Sequence, residues 1–398
     1  MTSHPARSTD SLAIDGPHGR WPLLRWLASS ATMNVPQAAG PVAFSLVAIS
    51  LIGEASGGAA MILAMTLAQV VGAVPITRLG RNLPAAAFLR LLIAFRTLAL
   101  AGVTLCAHYQ AHFAWLVVFG ALAGSVNGAA FGYLRSLLYH IAPVSRLPRV
   151  LGIAATLGEL TFVLCPVAAS GLGTVSPVLA VVALTVFGAV PALLVPQAGK
   201  PHVEDMSHAK ASVLSPSILL WLTCAAAGGS TVASIEIGAV ALALKFGYEP
   251  AMAILFTVPL CVASVAGGIW VSVRNRMASR TVVLTLLSFM TLGSALAALG
   301  PSLATTVAGT ILIGGVLAPL GTYYSLVLDQ LAPPQKRPEV FALLRTANAI
   351  GVIFASTVLT AVSLSSALIV VTCTMIAVTL TVGFATVVRR SGQRHTPF

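Results

Sequence analysis

The chain has 398 residues, of which 57% are apolar and only 8% charged, with a net charge of +12. A soluble domain carries about 25% charged residues, so this chain cannot cover a surface that faces water. Its cations are not interleaved with aromatics in a basic domain, which excludes a nucleic-acid partner and leaves them as topology determinants beside membrane spans.

The apolar runs are about the ~20 residues needed to cross a ~30 Å hydrocarbon core. They lack the polar and apolar alternation of barrel strands, so the fold class is all-α membrane protein. Met1–Arg20 is polar, with no apolar core of a signal peptide, and residues 1–26 are expected to form a cytoplasmic tail. Twelve spans are expected at about 27–51, 58–77, 85–107, 113–135, 148–172, 177–196, 216–244, 250–273, 281–300, 303–328, 339–362 and 365–388. A cytoplasmic linker at 197–215 divides two six-helix bundles, 27–196 and 216–388, and residues 389–398 form a second cytoplasmic tail.

Polar groups inside lipid are costly and are functional candidates by default. Span 1 carries Asn34 and Gln37 beside Pro36 and Pro41, which predict a kinked helix with freed carbonyls. Span 3 carries Arg90 and Arg96; both are expected to snorkel to the cytoplasmic face, with a buried acid as the other partner open to Arg96. Span 4 carries Asn127 and a stripe of Gly120, Gly124 and Gly128, which reads as close packing. Span 5 carries Glu159 and span 7 Glu236. Removing a carboxylate from water favours its protonated form, so both are candidates for proton coupling; a hydrogen-bonded acid that locks packing is the other reading. Gly228 and Gly229 precede Glu236 and mark either a helix break beside a cavity or close packing. In the linker, His202 and His208 read as solvated residues, since a metal needs more ligands. Asp329, Glu339 and Arg345 cluster at the cytoplasmic ends of spans 10 and 11, and Arg135 at the matching end of span 4. They are candidates for a charge-paired cytoplasmic gate, with ordinary interfacial charge as the alternative. The five cysteines form no Cys-x-x-Cys pair and read as small packing residues, neither disulfides nor metal ligands.

With the N-terminus inside, eighteen cations fall in cytoplasmic segments and only Lys245 outside, which places both termini in the cytoplasm. A repeat is visible directly. Residues 133–150 match residues 323–340 at an offset of 190 without gaps, pairing Tyr133 with Tyr323, Ala142 with Ala332, Pro143 with Pro333, Arg146 with Lys336, Pro148 with Pro338 and Val150 with Val340. A looser pair is Gly72–Arg78 with Gly268–Arg274. Two halves in the same orientation result.

These features resemble the major facilitator superfamily. Its loop between helices 2 and 3, G-x-x-x-D-R-x-G-R-[KR], stands here as residues 73–82, where Arg78, Gly80 and Arg81 match, Thr77 replaces the acid and Ala73 the first glycine. Its export signature G-P-x-x-G-G is reduced at Cys165–Ser170 to Pro166 and small residues, and Leu157–Pro166 with Ser234–Ile237 is similar to an actinobacterial-type group. The resemblance implies an alternating-access fold whose helices 1, 4, 7 and 10 line a cavity, so that Asn34, Gln37, Asn127, Glu236 and Tyr323 are reachable by substrate. Tyr324 is adjacent to Tyr323, and only one of the two can face inward. Arg78 and Arg81 join Arg135, Asp329, Glu339 and Arg345 as gate candidates.

The expected protein is therefore a secondary active transporter in a bacterial inner membrane, monomeric and without cofactor or metal. Its partners are a small organic molecule, protons and the lipid bilayer. Export of a drug-like compound or metabolite is the leading expectation, with a sugar or nutrient uptake permease as the rival. A non-transporting scaffold or receptor would need a sizeable soluble domain, and no phosphate-binding G-x-x-x-x-G-K-[ST] or hydrolase motif points to an enzyme or an ATP-driven pump.

Overall fold

The computed structural model describes residues 20–54, 56–196 and 215–393. The expected linker, with His202 and His208, and most of both tails lie outside these residues. Within them every regular element is helical. Twelve helices are long and apolar enough to cross a bilayer: spans 1 to 12 are Arg20–Ile52, Gly57–Leu79, Ala85–His108, Phe113–Ile141, Val144–Val175, Pro177–Leu194, Pro216–Lys245, Ile254–Arg274, Arg280–Leu299, Leu303–Leu331, Pro334–Ala361 and Leu364–Thr386. Number and order agree with the sequence reading. The largest difference is span 1, which is helical from Arg20 and takes in part of the expected tail.

Each half builds its own apolar core. In spans 1–6 one cluster surrounds Trp26, Leu89 and Leu138, and a second surrounds Phe44, Met61 and Leu100. In spans 7–12 one cluster runs through Phe256, Leu287, Ile313 and Phe341. The packing order repeats between halves: span 1 lies on 5, 2 on 4 and 3 on 6, and likewise 7 on 11, 8 on 10 and 9 on 12. Small residues set these approaches. A Cβ on Gly124 would collide with the Met65 carbonyl, and one on Gly314, 190 residues later, with the Leu260 carbonyl. The repeat read over 133–150 thus extends back through span 4.

Contacts between the halves gather at the end of the molecule where the arginines concentrate. There span 5 packs on 8 and 10, and span 11 on 2 and 4. Gly132 admits the Pro338 carbonyl, and a Cβ on Gly152 would sit 2.9 Å from the Gly268 carbonyl oxygen. Span 7 packs on its own half and has no substantial packing on the first. The halves are therefore joined at the basic end and parted at the other.

Arg96 organises the first half. Span 1 breaks at Asn34, because Pro36 lacks an amide hydrogen and the Gln37 amide bonds the Asn34 carbonyl at 3.1 Å. This frees the Met33 carbonyl, which accepts from Arg96 Nη1 at 3.0 Å. The same guanidinium donates to Asn127 Oδ1 at 3.2 Å and to the Gly188 carbonyl at 2.7 Å. Gly188 is required there, since a Cβ would lie 2.6 Å from Pro36 Cγ. Spans 1, 3, 4 and 6 thus meet at one cation that is 1% exposed. The expected snorkelling of Arg96 is overturned, and no acid pairs with it among the described residues: a broken helix offers carbonyls closer than the interface. Arg90 does reach the basic end and donates to the Val195 carbonyl at 2.9 Å.

Replacing Arg96 by Met keeps volume but strands buried acceptors at about 1–3 kcal/mol each. The expected outcome is a loss of several degrees in the thermal unfolding midpoint of the purified protein. Arg96→Lys restores little of it, because an ammonium lacks the planar fork. An unchanged midpoint in Arg96→Met would refute the organising role.

Candidate functional site

A cavity of about 320 Å³ lies between the halves, walled by spans 4, 5, 7, 9, 10 and 11. Both acids expected from sequence face it: Glu159 from span 5, half-buried, and Glu236 from span 7, exposed to the cavity. They lie within electrostatic reach of one another, and of Cys261 on span 8. The buried Ser264 hydroxyl lies beside Glu159, within hydrogen-bonding reach of its carboxyl. Gly228 and Gly229 line the wall below Glu236 in an unbroken helix, so they admit space without a break.

Two arginines face the same cavity. Arg135 on span 4 donates from Nη2 to Ser325 Oγ at 3.0 Å, and Arg345 on span 11 donates to Gln37 Oε1 on span 1. Their guanidinium carbons stand 5.5 and 5.4 Å from the centroid of the Phe131 ring, a favourable placement for cations over an aromatic face. Neither forms an ion pair among the described residues. Arg135 and Ser325 are 190 residues apart and occupy equivalent positions of the repeat. Equivalent positions touch only where the pseudo-twofold axis passes, so the axis runs through this part of the cavity.

Below the cavity the halves are sealed at the basic end. Arg78 donates from Nε and Nη2 to Glu339 Oε1 at 3.0 and 2.8 Å, tying span 2 to span 11. At the pseudo-equivalent contact, spans 5 and 8 meet through hydrogen bonds alone. The Arg149 amide donates to Asn275 Oδ1 at 3.0 Å, Arg149 Nε to the Ser272 carbonyl at 3.2 Å, and Asn275 Nδ2 to the Ser145 carbonyl at 2.8 Å. Asn275 ends span 8 in the left-handed region, φ 44°, which turns its side chain across the gap. Between the two contacts Tyr139 stacks on Phe341 at 5.5 Å and donates to the Ser325 carbonyl at 2.9 Å.

The expected gate residues thus separate into four placements. Arg78 and Glu339 form the cross-half pair. Arg135 and Arg345 belong to the cavity. Asp329 pairs with Arg337 at 2.8 Å, poorly aligned for a hydrogen bond, and joins spans 10 and 11 of one half; the pair meets the other half through Tyr139, whose ring centroid stands 5.9 Å from the Arg337 guanidinium carbon. Arg81 is exposed in the loop after span 2 and forms no ion pair among the described residues.

Three expected cavity residues are also placed elsewhere. Asn127 holds Arg96. Asn34 donates to the Ser30 carbonyl at 3.0 Å at the break in span 1. Tyr323 packs edge-on against Trp221 at 5.1 Å in the core of the second half, and Tyr324 faces the cavity instead. One residue turns a helix by about 100°, so adjacent tyrosines cannot share a face. Sequence reasoning passed over Asn348, a polar residue in an apolar span that lines the cavity and carried the same signal as Asn127. It also passed over Tyr139 and Asn275, whose partners lie far away in sequence.

The family model described as Major Facilitator Superfamily matches residues 27–356. Among solved structures, a bacterial homologue of the iron transporter ferroportin in an outward-facing state aligns with TM-score 0.78 at 12% identity, over 91% of this chain and 98% of that one. The E. coli fucose:proton symporter aligns with TM-score 0.70 at 13% identity, over 91% and 98%. The human organic anion transporter MFSD10 aligns with TM-score 0.69 at 13% identity, over 92% and 100%. At these identities the likeness is one of fold. No curated protein sequence matches the chain.

The Arg78–Glu339 pair is half in solvent, with Arg78 60% exposed, so it is worth about 1 kcal/mol or less. Removing it by Glu339→Gln should raise access to the cavity from the basic end by about fivefold or less. The readout is thiol labelling of Leu151→Cys in a background without the native cysteines. The charge swap of Arg78→Glu with Glu339→Arg should reverse most of the gain; equal labelling in all three backgrounds would remove the pair from gating.

Proposed function

The chain belongs to the Major Facilitator Superfamily, and from that premise we propose that it couples the movement of a small amphipathic organic molecule to protons through Glu159 and Glu236. The broader statement needs no proposal: it is a multi-pass membrane protein and a transporter of the secondary kind, not an enzyme. The observation that carries the finer reading is two carboxyls that face one central cavity from opposite halves and form no ion pair among the described residues. A carboxyl that exchanges between an aqueous cavity and a closed interior takes up a proton in one state and releases it in the other. With one acid on each half, rocking of the halves changes the surroundings of both. The fucose:proton symporter, a structural neighbour, is a proton-coupled example of this fold by its own description.

Two further readings belong to the proposal. The basic end is cytoplasmic, by the eighteen-to-one sorting of cations, with the protein a monomer in a bacterial inner membrane. The seal at the basic end and the parted opposite end then correspond to an outward-facing state, as in the ferroportin homologue. Proton flow into the cytoplasm can drive export by exchange or uptake by co-transport. Export is the direction favoured by Pro166 and its small neighbours at Cys165–Ser170; uptake is its rival.

The test is proton movement in proteoliposomes loaded with a pH-sensitive dye and challenged with a library of metabolites and drug-like compounds. The expected outcome is compound-dependent proton flux in the wild type. In Glu159→Gln or Glu236→Gln the flux should fall by at least about tenfold, a loss of ~1.4 kcal/mol or more in the coupled step, while compound exchange across the bilayer persists. The sign of the flux on adding compound outside decides between export and uptake. Undiminished gradient-driven flux in both variants would remove the acids from coupling.

A further inference from the structure

We infer that the compound held in this cavity is an organic anion, its carboxylate gripped between Arg135 and Arg345, and that protons on Glu159 and Glu236 strengthen its binding. The inference deepens the transport reading and rests on it for the site, but not for its test.

The argument begins with charge that the protein leaves unanswered. Arg135 and Arg345 flank the Phe131 ring at 5.5 and 5.4 Å and face a cavity that also holds two carboxyls, yet no carboxylate comes within ion-pair distance of either among the described residues. At the basic end Glu339 answers Arg78 with an acid, and Arg149 is answered by Asn275 and the Ser272 carbonyl, whereas no acid answers the two cavity arginines among the described residues. A guanidinium carries five donors. Arg135 spends one on Ser325, while its buried Nε has no partner, and Arg345 spends one on Gln37. The Thr322 and Tyr324 hydroxyls on span 10 are likewise buried without partners beside the same cavity. Unused donors from three spans therefore line one cavity together with positive charge, which is the arrangement that binds a carboxylate. A cationic compound would meet two guanidiniums, and a sugar would find few amides, with Asn348 the one amide lining the cavity. The remaining wall, including Leu151, Val232, Met290 and Leu317, is apolar and suits the body of an amphipathic acid. The volume of about 320 Å³ lies at the small end of ligand pockets.

The link to protons follows from sign. Ionised Glu159 and Glu236 repel an anion in the same cavity, and neutral ones do not. By linkage the effect is reciprocal, so a bound anion also favours protonation of the acids. Proton and anion then cross together, so this inference selects the co-transport rival over the exchange that the Pro166 segment favours. The other titratable groups around these four are Cys261 beside both acids, Tyr324 on span 10 and Tyr139 beside Arg135, with Asp329 and Arg337 beneath Tyr139.

The experiment is ligand-induced thermal stabilisation of the purified full chain. The probes are a set of small aryl and alkyl carboxylates, each with the amide and the amine of the same skeleton. In the wild type the best carboxylate should bind at least about tenfold more tightly than its amide, a difference of ~1.4 kcal/mol, and the amine should not bind. The preference should vanish in Arg135→Gln or Arg345→Gln. Carboxylate affinity should rise as pH falls from 8 to 6, and Glu236→Gln should flatten that rise. The wild-type comparison stands even if a variant fails to fold. Amides or amines binding as tightly as carboxylates would overturn the inference, as would the absence of carboxylate stabilisation at millimolar concentration. Proton flux driven only by neutral or cationic compounds would sink the anion site and leave the transport reading intact. Carboxylate binding without any flux would do the reverse.

Discussion

Inside a bilayer no water takes up a stray carbonyl or a lone charge, and each unsatisfied group costs several kcal/mol. That constraint shapes every polar group in this structure. Arg96 is tolerated because Pro36 breaks span 1 and frees the Met33 carbonyl, and because Gly188 lets spans 1, 3 and 6 close around the guanidinium. The break and the arginine answer one another: neither would be stable alone. The consequence reaches the cavity, since Gln37 follows the break by three residues and is the partner of Arg345 on the other half.

The two halves share a packing plan but not a charge plan. Position 339 is Glu and position 149, its equivalent 190 residues earlier, is Arg. One cross-half contact is therefore an ion pair and the other a set of hydrogen bonds through Arg149 and Asn275. The family loop has lost its acid at Thr77, whose hydroxyl bonds the Ala73 carbonyl at 2.5 Å, while Tyr133 donates to the Thr77 carbonyl at 2.9 Å. The anion that faces Arg78 comes instead from the opposite half.

Beside these answered charges, the cavity stands out because its four charged groups are left apart. Arg135 and Arg345 lie around Phe131, and Glu159 and Glu236 lie within reach of each other, without an ion pair joining the two sets. A buried ion pair would be a lock; separated charges lining a cavity are available to ligands and protons. That separation ties the proposed substrate class to the proposed coupling.

Much was legible in the residues themselves. Hydrophobic runs, cation sorting and the 190-residue repeat determined the twelve helices, their order and the two equivalent halves, because bilayer thickness and backbone hydrogen bonding leave few alternatives. The cost of a polar group in lipid also marked Glu159 and Glu236, whereas Arg135 and Arg345 read as gate charges at the cytoplasmic ends and only packing placed them in the cavity lining. Partnership was not legible. Arg96 looked like a snorkelling residue, and Asn127 and Tyr323 like cavity residues. Each was decided by a carbonyl, a ring or a guanidinium brought close only by tertiary packing. Periodicity records which residues leave water, whereas the direction a side chain faces within a bundle depends on helix rotation and on neighbours tens to hundreds of residues away.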